Sequence, residues 1–222
     1  MHRGLCLGLL SLWVLGVGCD SGGGGGAGPP ERSLDLATVS SGSAALLRMH
    51  GSEGIGSAGV PVTGGHDVDG DGNNDIAMAA FRADPAGRDD AGEVFLHFGN
   101  GTIGGIVDTA VASADILRIQ GAAEAETAGS EIWMDDVTGD GVAELIIARQ
   151  NFTPEPGRIG AGAVTLLIGG AGVATHAATL APIDLAAAAP AGVTLTHLVG
   201  GEALGRFGIW IRTGDVTGDG VA

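Results

Sequence analysis

Residues 67–75 read DVDGDGNND and lead directly into the apolar run IAMAA. Four carboxylates, Asp67, Asp69, Asp71 and Asp75, occupy positions 1, 3, 5 and 9 of this short loop. Side chains at alternate positions of a tight turn point inward together, and like charges this close repel one another unless a cation lies between them. The loop therefore predicts a bound cation. An Asp- and Gly-rich turn without metal is the alternative.

The spacing favours calcium, which takes about six to eight oxygen ligands from carboxylates, carbonyls and water. The four aspartates can supply carboxylate oxygens, and Asn73 at position 7 can supply its carbonyl. Gly70 and Gly72 allow the backbone to turn tightly at positive φ. Magnesium demands a stricter octahedral geometry, and softer metals are disfavoured because no His/Cys cluster accompanies the loop.

The loop differs from an EF-hand in how it ends. An EF-hand places a bidentate Glu at position 12 and continues as a helix. Position 12 here is Met78, and the apolar run that contains it is typical of a buried strand. The loop therefore closes on position 9 and leads into a β-strand.

The same loop recurs twice, as DVTGDGVAE at residues 136–144 and as DVTGDGVA at 215–222. The loop starts are 69 and 79 residues apart. The runs after the first two loops also match, GEVFLHFG with GAVTLLIG, and no stretch has sustained helical periodicity. Each unit thus contains three or four short β-type runs, which indicates a radial or solenoidal β array. A propeller blade holds four such strands.

The units resemble FG-GAP repeats, the blades of the β-propeller of integrin α-chains and of many bacterial surface proteins. Phe207 and Gly208 retain the FG pair, whereas Gly59 and Gly129 retain the glycine alone. The resemblance covers about residues 45–222 and implies an all-β fold. The expected architecture is a partial β-propeller of four-stranded antiparallel blades, with two blades and the start of a third.

The resemblance also implies element boundaries. The domain is expected over 44–222, with repeats at about 45–117, 118–196 and 197–222. We expect the four strands of blade one near Val60–Thr63, Ile76–Ala80, Val94–Phe98 and Ile116–Ile119. Blade two is expected from about Ile132 to Val199, and blade three from Phe207. A strand that latches the ring is expected at Ala45–Met49. Because the third loop stops at position 8, we interpret the sequence as a fragment of a longer protein.

The three loops define three candidate calcium sites. Their expected ligands are Asp67, Asp69, Asp71, Asn73 and Asp75; Asp136, Thr138, Asp140, Val142 and Glu144; and Asp215, Thr217, Asp219 and Val221. The threonines would contribute a hydroxyl and the valines a main-chain carbonyl. The first loop has one carboxylate more than the second, and ligand charge is one determinant of calcium affinity. We therefore expect the first site to bind more tightly.

The N-terminus is typical of an exported protein. MHRG precedes an apolar run of fourteen residues, LCLGLLSLWVLGVG, which is too short for a membrane span but fits a signal peptide. The segment resembles a bacterial lipoprotein signal, with residues 1–18 removed and Cys19 carrying the lipid membrane anchor. Gly16 departs from the usual lipobox, and an ordinary exported protein is the alternative. Residues 19–43 are Gly- and Pro-rich and predict a tether.

Charge and residue types narrow the function further. The net charge is −16, nine of the 26 acids lie in the three loops, and no basic cluster occurs, so nucleic-acid binding is excluded. No nucleophile–base pair is recognisable, so we predict no enzymatic activity. The sequence predicts a calcium-stabilised surface protein that binds or adheres to an unknown protein or carbohydrate ligand. The alternative is a scaffold of a secreted polysaccharide-active enzyme whose active site lies elsewhere.

Overall fold

The computed structural model describes residues 47–51, 56–102 and 104–222. The strands and the α-helix are β1 (Leu47–His50), β2 (Val62–His66), β3 (Asp75–Ala80), β4 (Glu93–His97), β5 (Gly105–Asp108), β6 (Ile116–Gln120), β7 (Ala128–Asp135), β8 (Glu144–Arg149), β9 (Ala163–Ile168), α1 (Ala171–Ala177), β10 (Ile183–Asp184) and β11 (Thr194–Val199). The chain is mostly β, which confirms the all-β prediction. The expected signal peptide (1–18), Cys19 and the tether (19–43) lie outside the described residues.

The first large sheet is built around an antiparallel meander in which β2, β3, β4 and β6 pair in chain order. The apolar runs predicted these strands, because strand residues alternate between the two faces of a sheet. Val94 and Leu96 of β4 and Leu117 of β6 are almost fully buried on one face. Phe95 is equally buried on the other face. The central strands of this sheet are therefore covered on both sides.

The second large sheet repeats this meander with β7, β8, β9 and β11. All six residues of β8, ELIIAR, are buried, so its near-continuous apolar run is explained by cover on both faces. A single apolar cluster joins the two sheets. Its larger members include Leu96 and Leu117 from the first sheet and Ile132, Leu145 and Ile147 from the second. Burial of each such side chain stabilises the fold by about 1.5–3 kcal/mol.

The chain leaves each meander through a short connection, the junction, and the two junctions have equivalent main-chain hydrogen bonds. At the first junction Gly121 N donates to Gly92 O at 2.8 Å and Ala128 N to Ala91 O at 2.8 Å; at the second, Gly200 N donates to Gly162 O at 2.9 Å and Phe207 N to Ala161 O at 2.8 Å. Gly129 and Gly208, which follow these junctions, have φ of +86° and +88°. This conformation explains why the glycine of the FG pair recurs.

The start of the third repeat packs on the outer face of the second sheet. Ile211 belongs to an apolar cluster with Ile146, Ala148 and Val164, and Trp133 Nε1 donates to Thr213 Oγ1 at 2.9 Å. The structure has no strand after Val199 within the described residues. Phe207, where blade three was expected to open, instead forms an isolated bridge with Gly162.

Several predicted boundaries were wrong. The first strand of repeat one is β2, Val62–His66 rather than Val60–Thr63, and β7 begins at Ala128, before the expected Ile132. The other strands lie within one or two residues of their predicted positions. The latching strand was expected at Ala45–Met49; its described part, β1, pairs with β5 in a separate two-stranded sheet. Both large sheets and all three loops belong to one compact unit, residues 49–101 and 108–222.

The short helix α1 lies between β9 and β11, although the sequence has no sustained helical periodicity. Alanine has the highest helix propensity, and Val173 and Ala177, one helical turn apart, are buried in the core. After α1, the short β10 pairs in parallel with β6, with Ile183 opposite Ile119, and gives the first sheet a fifth strand. This insertion accounts for most of the greater length of the second repeat. No helix in the described part of the chain is long and apolar enough to cross a membrane.

Candidate metal centre

The first loop connects β2 to β3, and its position-1 carboxylate organises the turn. Asp67 Oδ1 accepts a hydrogen bond from Gly70 N at 2.7 Å, and Asp67 Oδ2 accepts one from Gly72 N at 2.8 Å. Both glycines have positive φ, +80° and +89°, which directs their N–H groups toward the carboxylate. The glycines in the sequence are therefore required by the conformation of the loop.

Three carboxylates converge in this loop. Asp67, Asp69 and Asp71 each offer a carboxylate oxygen, and these three oxygens lie within 4.8 Å of one another. Burial raises the pKa of Asp69 above its ordinary value, and the charges of Asp71 and Asp67 raise it further. The mutual repulsion of the three groups is the electrostatic condition that a bound divalent cation would relieve.

Asp75 at position 9 has a different environment. Its side chain is completely buried; Oδ2 accepts from Val68 N and Oδ1 from Gly99 N, both at 2.8 Å. Burial raises the pKa of Asp75 to about 6, although the two amide donors oppose this shift. Asp75 thus connects the loop to the end of β4. It lies outside the group of three carboxylates, and its role as a calcium ligand remains a prediction.

Asn73 at position 7 uses its side chain within the loop. Its Nδ2 donates to Asp71 Oδ2 at 3.0 Å, and its main-chain N donates to Asp71 Oδ1 at 2.7 Å. Its Oδ1 faces Gly101, since a methyl group added there would lie 3.0 Å from this oxygen. The main-chain carbonyl is therefore the oxygen by which Asn73 would contribute to a metal site.

Position 1 has the same hydrogen bonds in the other two loops. Asp136 accepts from Gly139 N at 2.7 Å and Gly141 N at 2.8 Å; Asp215 accepts from Gly218 N at 2.5 Å and Gly220 N at 2.8 Å. Burial opposes ionisation of Asp136, but the amide donors outweigh it and lower its pKa. The amides of Gly220 and Gly218 likewise lower the pKa of Asp215. Both groups are held in the ionised form that a cation requires.

The threonines at position 3 direct their hydroxyls to neighbouring carboxylates. Thr138 Oγ1 donates to Glu144 Oε1 at 3.4 Å, and Thr217 Oγ1 donates to Asp215 Oδ1 at 3.4 Å. These long hydrogen bonds leave the hydroxyl oxygen lone pairs available. Ligation by either threonine remains a prediction.

Positions 5 and 7 are connected in the same way in both later loops. Asp140 Oδ1 accepts from Val142 N at 2.9 Å, and Asp219 Oδ1 accepts from Val221 N at 3.1 Å. The amide of Val221 is the main reason that the pKa of Asp219 is lowered. The valine carbonyls are not used in these contacts and remain candidate ligands.

Glu144 at position 9 of the second loop corresponds to Asp75. It is fully buried, and its Oε2 accepts from Val137 N at 2.9 Å and Thr138 N at 3.2 Å. Burial raises its pKa, and the amide of Val137 followed by that of Gly169 opposes the shift. In both complete loops, therefore, the position-9 carboxylate accepts hydrogen bonds from main-chain N–H groups of its own loop and of the glycine that follows the third strand of the repeat.

The three loops differ in how their carboxylates converge. Asp67, Asp69 and Asp71 form a group of three, and no second group of this kind occurs among residues 47–51, 56–102 and 104–222. In the second loop Thr138 replaces the middle carboxylate and Glu144 is directed to the backbone. The first loop is thus the best-formed candidate cation site of the described residues, in line with its greater number of carboxylates.

Sequence reasoning did not find the partners of position 9. The signal was present, because the third strand of each complete repeat is followed by a glycine, Gly99 or Gly169. A methyl group at Gly99 would lie 2.1 Å from Asn74 O, and one at Gly169 would lie 2.3 Å from Ala143 O. Only glycine fits at these two positions, where the chain passes close to the main chain of the loop.

Comparison with known proteins provides no assignment. No family model matches the sequence, and no curated protein matches it significantly. Function must therefore be inferred from the loops, the repeats and the resemblance of their motifs.

Proposed function

We propose that the chain is a calcium-binding segment of a β-propeller protein, with calcium ions stabilising the loop between the first two strands of each repeat. The observation that carries this proposal is the convergence of Asp67, Asp69 and Asp71, with oxygens within 4.8 Å of one another. Two unit charges about 4 Å apart interact by roughly 1–4 kcal/mol between bulk water and a protein surface. A divalent cation bound between the carboxylates would replace that repulsion with attraction.

The donor set fits a hard cation. A carboxylate has about four lone-pair sites, so an oxygen that already accepts an N–H can still bind a metal. The FG-GAP resemblance implies that Asn73, through its carbonyl, and Asp75 complete the first site. Calcium tolerates such a mixed and irregular set, whereas magnesium requires nearly ideal octahedral geometry. When bound, calcium would supply charge neutralisation and would link the start of the loop to its end.

We also propose that each four-stranded meander is a propeller blade. Three features support this interpretation: the meanders follow chain order, they end in the same junction hydrogen bonds, and the first strand of the second sheet, β7, contacts β2 and β3 of the first sheet. Adjacent blades of a propeller pack in this manner around a central axis. Calcium bound at the loops would then contribute directly to the free energy of folding.

The cellular role we propose is binding or adhesion by an exported protein anchored to a bacterial membrane through lipid on Cys19. The support is the apolar N-terminal run, the cysteine at its end and the Gly-rich tether that follows. Labelling with palmitate, followed by membrane fractionation, tests the anchor. Label should be present in the wild type and absent from Cys19→Ser; a membrane-bound, equally labelled variant would contradict lipidation at Cys19.

Isothermal titration calorimetry tests calcium binding directly. The double variant Asp67→Asn and Asp71→Asn should lose the tightest binding event. The matched control removes two exposed acids outside the loops, Glu202→Gln and Glu124→Gln, and should bind like the wild type. Equal isotherms for the loop variant and the wild type would refute calcium binding at the first loop.

Incubation of the full-length protein with acidic polysaccharides tests the proposed role. Retention of the polysaccharide without any change in its chain length supports binding. Calcium-dependent cleavage would refute a purely adhesive role and favour the enzymatic alternative.

A further inference from the structure

The first two metal loops are in direct contact, although they are 69 residues apart in sequence. Ala143 N, at position 8 of the second loop, donates to Asp67 O at 2.8 Å. Gly170 N, which follows the third strand of the second repeat, donates to Val68 O at 2.7 Å. Positions 1 and 2 of the first loop are therefore fixed by hydrogen bonds from the second repeat.

A side chain reinforces this connection. A methyl group added to Gly70 would lie 3.6 Å from Val142 Cγ2, which is ordinary van der Waals distance, so the valine side chain lies beside Gly70 with room for one methyl group between them. Gly70 N is a donor that holds the Asp67 carboxylate. Val142 is at the same time position 7 of the second loop, where its N–H donates to Asp140 and its carbonyl is a candidate ligand. One residue thus lies next to the first site and belongs to the second.

The same relation recurs between the second and third loops. A methyl group on Gly139 would lie 2.7 Å from Val221 Cγ2, and Gly139 N donates to the Asp136 carboxylate at 2.7 Å. Valine therefore occupies position 7 in the two loops that lie against an earlier loop. In the first loop position 7 is Asn73, whose side chain instead hydrogen-bonds within its own loop.

We propose that the position-7 valine is a positioning residue that couples successive calcium sites, so that the first and second loops bind calcium with positive cooperativity. This inference rests on the calcium-binding function proposed above. Ordering the second loop around its ion would fix the Val142 side chain and the Ala143 N–H, and the first loop would then lose less conformational freedom on binding. By linkage, calcium in the first loop increases the affinity of the second by the same factor.

The test is a calcium titration of the ¹⁵N-labelled protein, followed site by site by NMR. Gly72 and Gly141 are suitable reporters, because each N–H donates to the position-1 carboxylate of its own loop. Val142→Ala keeps the main-chain carbonyl but removes the methyl group that lies next to Gly70. We expect it to raise the calcium concentration at which Gly72 is half-saturated by about fivefold or more, the lower end of typical coupling.

Val221→Ala is the matched control, because it makes the same change one repeat later. It should shift the titration of Gly141 more than that of Gly72, because it reaches the first loop only through the second site. Disabling the second site with Asp136→Asn and Asp140→Asn should weaken the first site at least as much as Val142→Ala does. Amide peak dispersion verifies that each variant is folded, and Val142→Thr, which keeps the branched shape, should retain coupling if Val142→Ala is unstable.

The outcomes separate the two proposals. If Gly72 and Gly141 both respond to calcium but Gly72 has the same midpoint in the wild type, in Val142→Ala and in the second-site variant, the loops are independent and the coupling is refuted. If neither glycine responds at any calcium concentration, calcium binding itself is refuted, and the coupling with it.

Discussion

Replacement of Arg149 by Met should destabilise the protein far more than a surface arginine would. Arg149 Nε lies 2.5 Å from Glu126 Oε1, and the two side chains are only 3% and 1% exposed. The guanidinium also lies 4.1 Å from the centroid of the Phe152 ring. Within the described residues Glu126 Oε2 has no hydrogen-bond partner, and Oε1 accepts one other hydrogen bond, from Ala122 N at 3.2 Å. Removing the arginine therefore leaves a buried carboxylate without its cation.

The expected loss follows from these contacts. Removing one partner of a buried ion pair costs about 3–5 kcal/mol, and the desolvated cation–π contact adds about 1–2 kcal/mol. Arg149→Met should therefore lower the free energy of unfolding by roughly 4–7 kcal/mol, a large part of the total of about 5–15 kcal/mol of a typical domain. Equilibrium unfolding in urea at constant calcium measures this loss.

Two controls isolate the effect of burial. Arg158 and Glu155 form a second pair with a similar distance, 2.7 Å, but are 35% and 59% exposed; Arg158→Met should cost no more than about 1 kcal/mol. The double variant Arg149→Met and Glu126→Leu should recover most of the lost stability, because no unpaired charge remains. Equal losses for Arg149→Met and Arg158→Met, or no recovery in the double variant, would refute the reasoning.

The remaining predictions concern the loops. Burial raises the pKa of Asp75 to about 6 from its ordinary value of 3.8. Its contribution to metal-free stability is therefore fully present below about pH 4 and is lost as the pH rises through 6. Asp75→Asn should make the urea midpoint of unfolding less dependent on pH between 4 and 7, and an unchanged pH profile would contradict this. Gly99→Ala places a methyl group 2.1 Å from Asn74 O and should lower the free energy of unfolding by about 1–3 kcal/mol. Gly201→Ala faces open space and should leave stability unchanged. Equal melting temperatures for the two variants would contradict the close approach of Gly99 to Asn74. Asp71→Asn removes one of three mutually repelling carboxylates, so the melting temperature in chelator should stay the same or rise. The calcium-induced rise should decrease; a full rise would exclude Asp71 as a ligand.

The loops and the meanders were predictable because their signals are local. Alternate Asp and Gly residues determine the turn at Asp67 through hydrogen bonds that reach only three to five residues along the chain. Buried strands such as β8 were visible as apolar runs. The glycine before each loop was visible as well, and its positive φ explains it.

The remaining features depend on contacts between distant segments. The partner of Asp75, Gly99, is 24 residues away, and β10 pairs with β6 across more than 60 residues. Helix α1 is only seven residues long, which is too short for a period to be read, and its stability derives from burial of Val173 and Ala177 in the core. The placement of Val142 next to Gly70 likewise required the packed structure.

The central claim is that the acidic loops bind calcium and that this binding stabilises the fold. Thermal unfolding of the protein in calcium, in excess chelator and in equal magnesium tests it most directly. Each occupied site should add about 2.7 kcal/mol of stability when calcium is at one hundred times its Kd. We predict a large calcium-dependent rise in Tm that magnesium does not reproduce. Identical Tm values in calcium and chelator would contradict the claim and would leave Asp67, Asp69 and Asp71 as an acidic turn without metal.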